Sequence, residues 1–320
     1  ARAIGINVFY QKHNTTIQEI AFQHQSGDAI SINQCNNVTI QGCAFRHVVN
    51  SGIHMVWNSS DQYYANNTFN DLLNYGIFWN SEQAFNTGNS IMELNAIDDT
   101  ALVPGYGGDG QQSTAIRIVA TGVTVRRNTI RNVGYAGILT DTGGNTIEEN
   151  YVEAALLTLN DGGGITLNSD NNIIRRNFVF DSHGEISYAG NFNGTPFPNI
   201  AMGIFTQPFL DNNLVEGNVT VGNNHHGIYI DKCTNTTVIN NISYNNARAQ
   251  IHFLGSDASI FNNTITGNTA FSLNPDTIAM SLAGTDDFGF LDNNVYGGAF
   301  GEVFVQRGGA DNSNNYYFSL

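Results

Sequence analysis

Between residues 160 and 252 the chain collects the side chains that could move protons or carry charge. Asp161 stands before three glycines in NDGGGITLN (160–168), and Glu185 closes SHGE (182–185). His225 and His226 precede GIYID (227–231), which holds Tyr229 and ends on Asp231; Lys232, Arg248 and His252 follow. Two kinds of chemistry fit these types. Carboxylates in unlike environments can cleave a glycosidic bond, one kept protonated as the acid and the other ionised as nucleophile or base. A base and a cation can instead remove the proton beside a uronate carboxyl and stabilise the charge that forms; His226, Tyr229, Lys232 and Arg248 offer those parts. Each residue also has a plain structural role. Asp161 could simply form a turn, Glu185 could be a solvated loop residue, and the two histidines could pack over a neighbouring strand. No Ser–His–Asp order, phosphate loop or Cys-Xaa-Xaa-Cys zinc spacing is present, which argues against serine nucleophiles and nucleotide use.

Composition narrows the partners. Of 320 residues only 12% are charged, the formal net charge is -15, and the lysines are Lys12 and Lys232. Phosphate binding needs clustered basic side chains, so neither nucleic acid nor an anionic membrane is expected as a partner. The same acidity argues against an anionic uronate polymer. With 41% apolar residues the chain can build a core and is not a disordered low-complexity segment. No apolar run approaches the length of about 18 residues that a membrane span needs. Three cysteines (Cys35, Cys43, Cys233) are too few for a disulfide scaffold and read as buried thiols.

A repeat positions all of these residues. A short strand recurs in GDAISIN (27–33), GIHMVW (52–57), GIFWN (76–80), AIRIVA (115–120), GILTD (137–141), GITLN (164–168), GIFTQ (203–207), GIYID (227–231), AQIHFL (249–254) and TIAMSL (277–282). After a polar turn each is followed by a second strand, as in NVTIQGCAF (37–45) or NIIRRNFV (172–179). With IGINV (4–8) and EVFVQ (302–306) this makes about twelve turns. Self-similarity at this period, with no helical pattern between strands, reads as a solenoid: one all-β, right-handed parallel β-helix domain over 1–320, with loop insertions near 98–113 and 181–202. Ile30, Ile53, Ile77, Ile116, Ile138, Ile165, Ile204, Ile228, Ile251 and Ile278 are the inward anchors. Asn67, Asn95, Asn128, Asn150, Asn177, Asn218, Asn241 and Asn263 end most second strands, where stacked amides can bond from coil to coil. The chain starts inside the repeat without an evident cap, so a terminal partner or oligomer covering the strand edges is expected.

Side chains alternate across a strand, so inward isoleucines fix an outward row. It runs His54, Phe78 with Asn80, Arg117, Leu139 with Asp141, Thr166 with Asn168, Phe205 with Gln207, Tyr229 with Asp231, and His252. Aromatic faces with amides and carboxylates are what grips a sugar. Asp141, Asn168, Phe205, Gln207, His225, His226, Tyr229, Lys232, Arg248 and His252 are therefore the expected substrate-binding residues, and a long loop in so economical a solenoid is expected to be a wall or lid. The glycines after Asp161 are expected to let substrate approach the backbone. GYGGDG (105–110) is similar to a calcium-binding nonapeptide repeat but occurs once, so no cofactor is expected and calcium has no specific motif behind it.

The repeat resembles the right-handed parallel β-helix proteins of the pectate-lyase-like superfamily over essentially the whole chain. DGGGITLN (161–168) with SHGE (182–185) resembles the corresponding region of β-helical glycoside hydrolases of the β-xylosidase-like type. That resemblance implies Asp161 as nucleophile and Glu185 as acid/base; apart from the resemblance, Asp231 is a carboxylate able to replace either. The resemblance implies a secreted or periplasmic glycoside hydrolase acting on a polysaccharide or oligosaccharide. A uronate lyase or C5-epimerase is the alternative, and a non-catalytic tailspike or adhesin the third reading, because this fold carries all three.

Overall fold

A coil of two dozen residues cannot bury an isoleucine within itself; it can do so only against the same position of the coils above and below. That pairing is observed. In the computed structural model, which describes residues 4–81, 87–106, 113–185, 199–255, 261–284, 287–298, 305–308 and 316–318, parallel pairs join Ile6, Ile30, Ile53, Ile77, Ile116, Ile138, Ile165, Ile204, Ile228, Ile251 and Met280 into one column. The last anchor corrects the sequence reading. The column takes Met280, and Ile278 lies two residues before it, half-buried. In TIAMSL both positions have the same parity, so alternation alone does not separate them; the turn closed by the Thr277 amide on the Asn274 carbonyl uses the extra residues.

Each coil has three strands and not two. The strands form one sheet of 13 and two sheets of 11, every neighbour one coil away except the last pair, where Tyr316–Phe318 runs antiparallel to Val305–Gly308. Eleven coils contribute to all three sheets and Val305–Gly308 opens a twelfth. The expected second strand is two three-residue strands with a corner between them: NVTIQGCAF divides into Thr39–Gln41 and Ala44–Arg46. The corner turns because one residue is left-handed, as at Gly42 (φ 62°), Arg127 (φ 55°), Glu149 (φ 56°), Arg176 (φ 54°) and Asn240 (φ 56°). After Arg127, Glu149, Arg176 and Asn240 the next residue is the stacked amide; after Gly42 it is Cys43.

The amide column is continuous. Asn67, Asn95, Asn128, Asn150, Asn177, Asn218, Asn241, Asn268 and Asn294 each accept, through Oδ1, the backbone amide of the preceding member at 2.9–3.1 Å, Cys43 donating to the first. Asn263 is therefore not a member. It stands at the corner before Thr264–Thr266 and accepts the Thr236 amide in a second series, one corner earlier in the coil. Inside the tube, Phe22, Phe45 and Phe69 stack at 5.1 and 4.6 Å. The three cysteines are buried and free.

The loop boundaries also shift. Ala96–Thr100 and Ala201–Thr206 are strands, so residues 98–100 and 201–202 belong to coils. Of the insertions themselves, 107–112 and 186–198 lie outside the described residues, as do the last four positions of GYGGDG.

Candidate functional site

The outward row has the register that alternation dictates. His54, Phe78, Arg117, Leu139, Thr166, Phe205, Tyr229 and His252 are consecutive partners across eight coils, and Ser281 continues them. One residue beyond the next pairs, Thr140–Leu167–Thr206–Ile230, lie Asp141, Asn168, Gln207 and Asp231. The centre of the row is nevertheless covered: Leu139, Thr166 and Phe205 are buried. The cover comes from the DGGG segment. The Gly163 amide bonds Thr166 Oγ1 at 3.0 Å, and a β-carbon on Gly163 would sit 3.0 Å from that of Phe205. A β-carbon on Gly162 would strike the Tyr135 ring at 2.7 Å. These glycines make room for the protein's own packing, which corrects the expectation that they make room for substrate.

The residues singled out in the sequence fall into three groups. In the first, Asp141 is clamped, accepting from Arg117 Nε at 2.8 Å and from Asn168 Nδ2 at 2.7 Å. Arg117 in turn donates to the Tyr75 hydroxyl at 3.3 Å. This half of the row is an internal network.

The second group is Asp161, Tyr229 and Asp231. Asp161 is exposed and left-handed (φ 62°), its amide bonded to the Ile200 carbonyl at 2.9 Å and its carbonyl accepting the Tyr135 hydroxyl at 2.9 Å. Surrounding protein desolvates its carboxyl and raises its pKa. Asp231 is held by its amide on Thr206 Oγ1 at 3.2 Å, while its Oδ1 is buried without a partner among the described residues. Burial drives Asp231 up to about 6; the nearby Lys232 charge opposes this and the Asp161 charge adds to it. Burial, Asp231 and Asp161 together push the Tyr229 hydroxyl well above its ordinary value. The three groups therefore share one local field. Phe205 stacks on Tyr229 at 5.2 Å. Lys232 places its ammonium 5.4 Å from the centre of the exposed Phe209 ring, and Gln207 sits half-buried beside the row. Glu185 is tied by its amide to the Leu159 carbonyl at 2.9 Å, two residues before Asp161.

The third group lines a cleft of about 430 Å³ on coils nine to eleven: His225, His226, Tyr229, Arg248, His252, Asp276 and Ser281. The His226 and His252 rings stack at 4.2 Å, and His225 meets His226 edge-on at 4.2 Å. The Ala249 amide donates to His226 Nδ1 at 3.2 Å, so the His226 proton is on Nε2. Burial, then Arg248 and His252, lower His225 to about 3; burial, then Arg248, lower His252 to about 3. Burial and the same neighbours hold His226 well below its ordinary value. All three imidazoles are neutral near pH 7. Gly227 sets their place: a β-carbon there would strike the Ser243 hydroxyl and the Asn246 amide and lie 2.6 Å from the Gln250 carbonyl. Gly227→Ala is expected to cost about 1–3 kcal/mol, read as a lowered midpoint in thermal unfolding.

Sequence reasoning missed Tyr135, Thr206 and Asp276. Thr206 is inward-facing and Tyr135 precedes its coil's strand, so neither stands out by pattern. Asp276 sits in a turn that the repeat does not dictate.

The chain belongs to the right handed beta helix region family, whose model matches residues 2–113 and 114–313. The right-handed parallel β-helix expected from the repeat is thereby borne out. No curated protein matches the sequence. Among solved structures, the Dettilon tailspike protein is similar over 93% of this chain and 60% of that one, at 14% identity and a TM-score of 0.62. The enzymatically active domain of bacteriophage CBA120 tailspike protein 2 is similar over 85% of this chain and 43% of that one, at 12% identity and a TM-score of 0.53. The chain thus spans about 60% or less of these two proteins, and at such identities the likeness is one of fold.

Proposed function

We propose that this chain is a carbohydrate-active enzyme of extracellular or periplasmic glycans that hydrolyses a glycosidic bond on the outward face of coils seven to nine. The carrying observation is Asp231: a carboxyl with a buried oxygen that has no partner among the described residues, raised to about 6, in the field of a second carboxyl, Asp161. In this reading protonated Asp231 gives its proton to the glycosidic oxygen as the C–O bond breaks. Ionised Asp161 meets the electron-poor carbon, as nucleophile or as base for a water. The resemblance of DGGGITLN to β-xylosidase-like hydrolases supports the role of Asp161. The fold's capacity for catalysis is supported by the CBA120 domain, which is enzymatically active.

A pH profile tests the acid. Activity must fall as pH rises through the acid's pKa, so kcat/KM is expected to decline with a limb near the value of about 6 given for Asp231, and Asp231→Asn removes that limb. Glu185→Gln distinguishes the other carboxylate near Asp161: it keeps the limb if Asp231 is the acid. A limb lost in Glu185→Gln and kept in Asp231→Asn contradicts the assignment.

A further inference from the structure

The geometry points to Phe209 as a stacking platform for a sugar next to the bond that is cut, a subsite for a pyranose with equatorial hydroxyls such as a β-linked xylose or glucose. This rests on the reading of Asp231 and Asp161 as a glycan-cleaving pair.

Phe209 is poorly placed for a residue that serves only the fold. Pro208 and Phe209 are the two central residues of a tight turn from Gln207 to Leu210, and Phe209 is left-handed (φ 68°). A turn with Pro second and a left-handed third residue ordinarily takes Gly or Asn there, because a larger side chain strains the backbone. The ring gives little back to the core. Phe209 is 69% exposed, and no other large apolar side chain among the described residues is more so. The ring does meet the Lys232 ammonium, at 5.4 Å. An exposed cation–π pair of this kind gains less than a left-handed bulky residue loses. Strain that the local structure does not offset concentrates at ligand clamps.

The place of the turn says what the ligand is. Tyr10 and Trp57 are also left-handed and exposed, but they follow the first strands of coils one and three. Phe209 lies on coil eight, between the coil that Asp161 precedes and the coil whose strand ends on Asp231. Lys232 joins the two features: its ammonium reaches the ring, and its charge is among those that act on Asp231. A pyranose with equatorial hydroxyls has two apolar C–H faces and a polar rim. The phenyl ring can cover a face, while the Lys232 ammonium and the Gln207 side-chain amide, at the first position of the same turn, can meet the rim.

Calorimetry on Asp231→Asn, so that no turnover intervenes, tests this with xylohexaose, cellohexaose and laminarihexaose. At least one is expected to bind, and adding Phe209→Asn should weaken it on the order of 10-fold, the loss of one buried ring face. Adding Phe209→Tyr should keep the affinity. Thermal unfolding should not follow binding: the midpoint of Phe209→Asn is expected to be unchanged or higher, since asparagine takes the left-handed position with less strain. A side chain that serves the fold would not give that pair of results. No binding of any of the three, binding untouched by Phe209→Asn, or a midpoint lowered by Phe209→Asn overturns the platform. Because the readouts are binding and stability, they stand apart from the hydrolase assignment, which fails separately if no reducing ends are released.

Discussion

Asp231→Asn is expected to lower turnover by about 10²–10⁴-fold, the contribution of a positioned general acid, with little change in substrate binding. Asparagine has the same shape but no acidic proton. The backbone bonds that fix the position are untouched, since the Asp231 amide still reaches Thr206 Oγ1 and its carbonyl still accepts from Cys233 Sγ at 3.1 Å. A leaving group that needs no proton, such as a fluoride, should recover most of the loss on the bond-breaking step. Asp161→Asn should lose a comparable factor without that recovery. It should also lower the pKa of Asp231, because the Asp161 charge is one of the groups that raise it. Steady-state kinetics on both variants, with circular dichroism to show an intact fold, checks the pair.

The largest stability effect is expected at the amide column. Asn177 accepts from the Asn150 amide and side chain at 3.0 Å each, and donates to the Ile147 carbonyl at 2.9 Å and to Asn218 Oδ1 at 3.0 Å. It is fully buried. Asn177→Ala takes away the side-chain partner of the Asn150 backbone amide and of the Ile147 carbonyl, while Asn218 Oδ1 keeps the Asn177 backbone amide and the Asn150 side chain keeps the Val125 carbonyl. At about 1–3 kcal/mol for each buried group left unsatisfied, the expected loss is on the order of 3–5 kcal/mol. Asn245→Ala, one corner residue with φ 53° and exposed, is the control and should cost far less. Denaturant titration compares them.

Much of this was legible from the chain alone, for a physical reason. Burial in a solenoid is one-dimensional, so the spacing of Ile53, Ile77 and Ile116 states both the core and its register, and the outward row from His54 to His252 follows by parity. The column failed at Ile278 and Asn263, where two residues of the right type lie close together and only the hydrogen bonds select one. The third strand was invisible because a single left-handed residue such as Glu149 turns the chain without breaking the apolar alternation. The site was legible by type but not by partnership. Asp141 and Asp231 occupy the same row, yet Arg117 and Asn168 engage the first while the second keeps an oxygen with no partner among the described residues. No spacing rule carries that difference, because it depends on which side chain reaches across a coil.

The central claim, a hydrolytic site of Asp231 and Asp161, is tested most directly by product analysis over a panel of neutral and uronate oligosaccharides. The account predicts new reducing ends with no unsaturated, ultraviolet-absorbing sugar, and their loss in Asp231→Asn and Asp161→Asn. An unsaturated product, or reducing ends released undiminished by both variants, would contradict it.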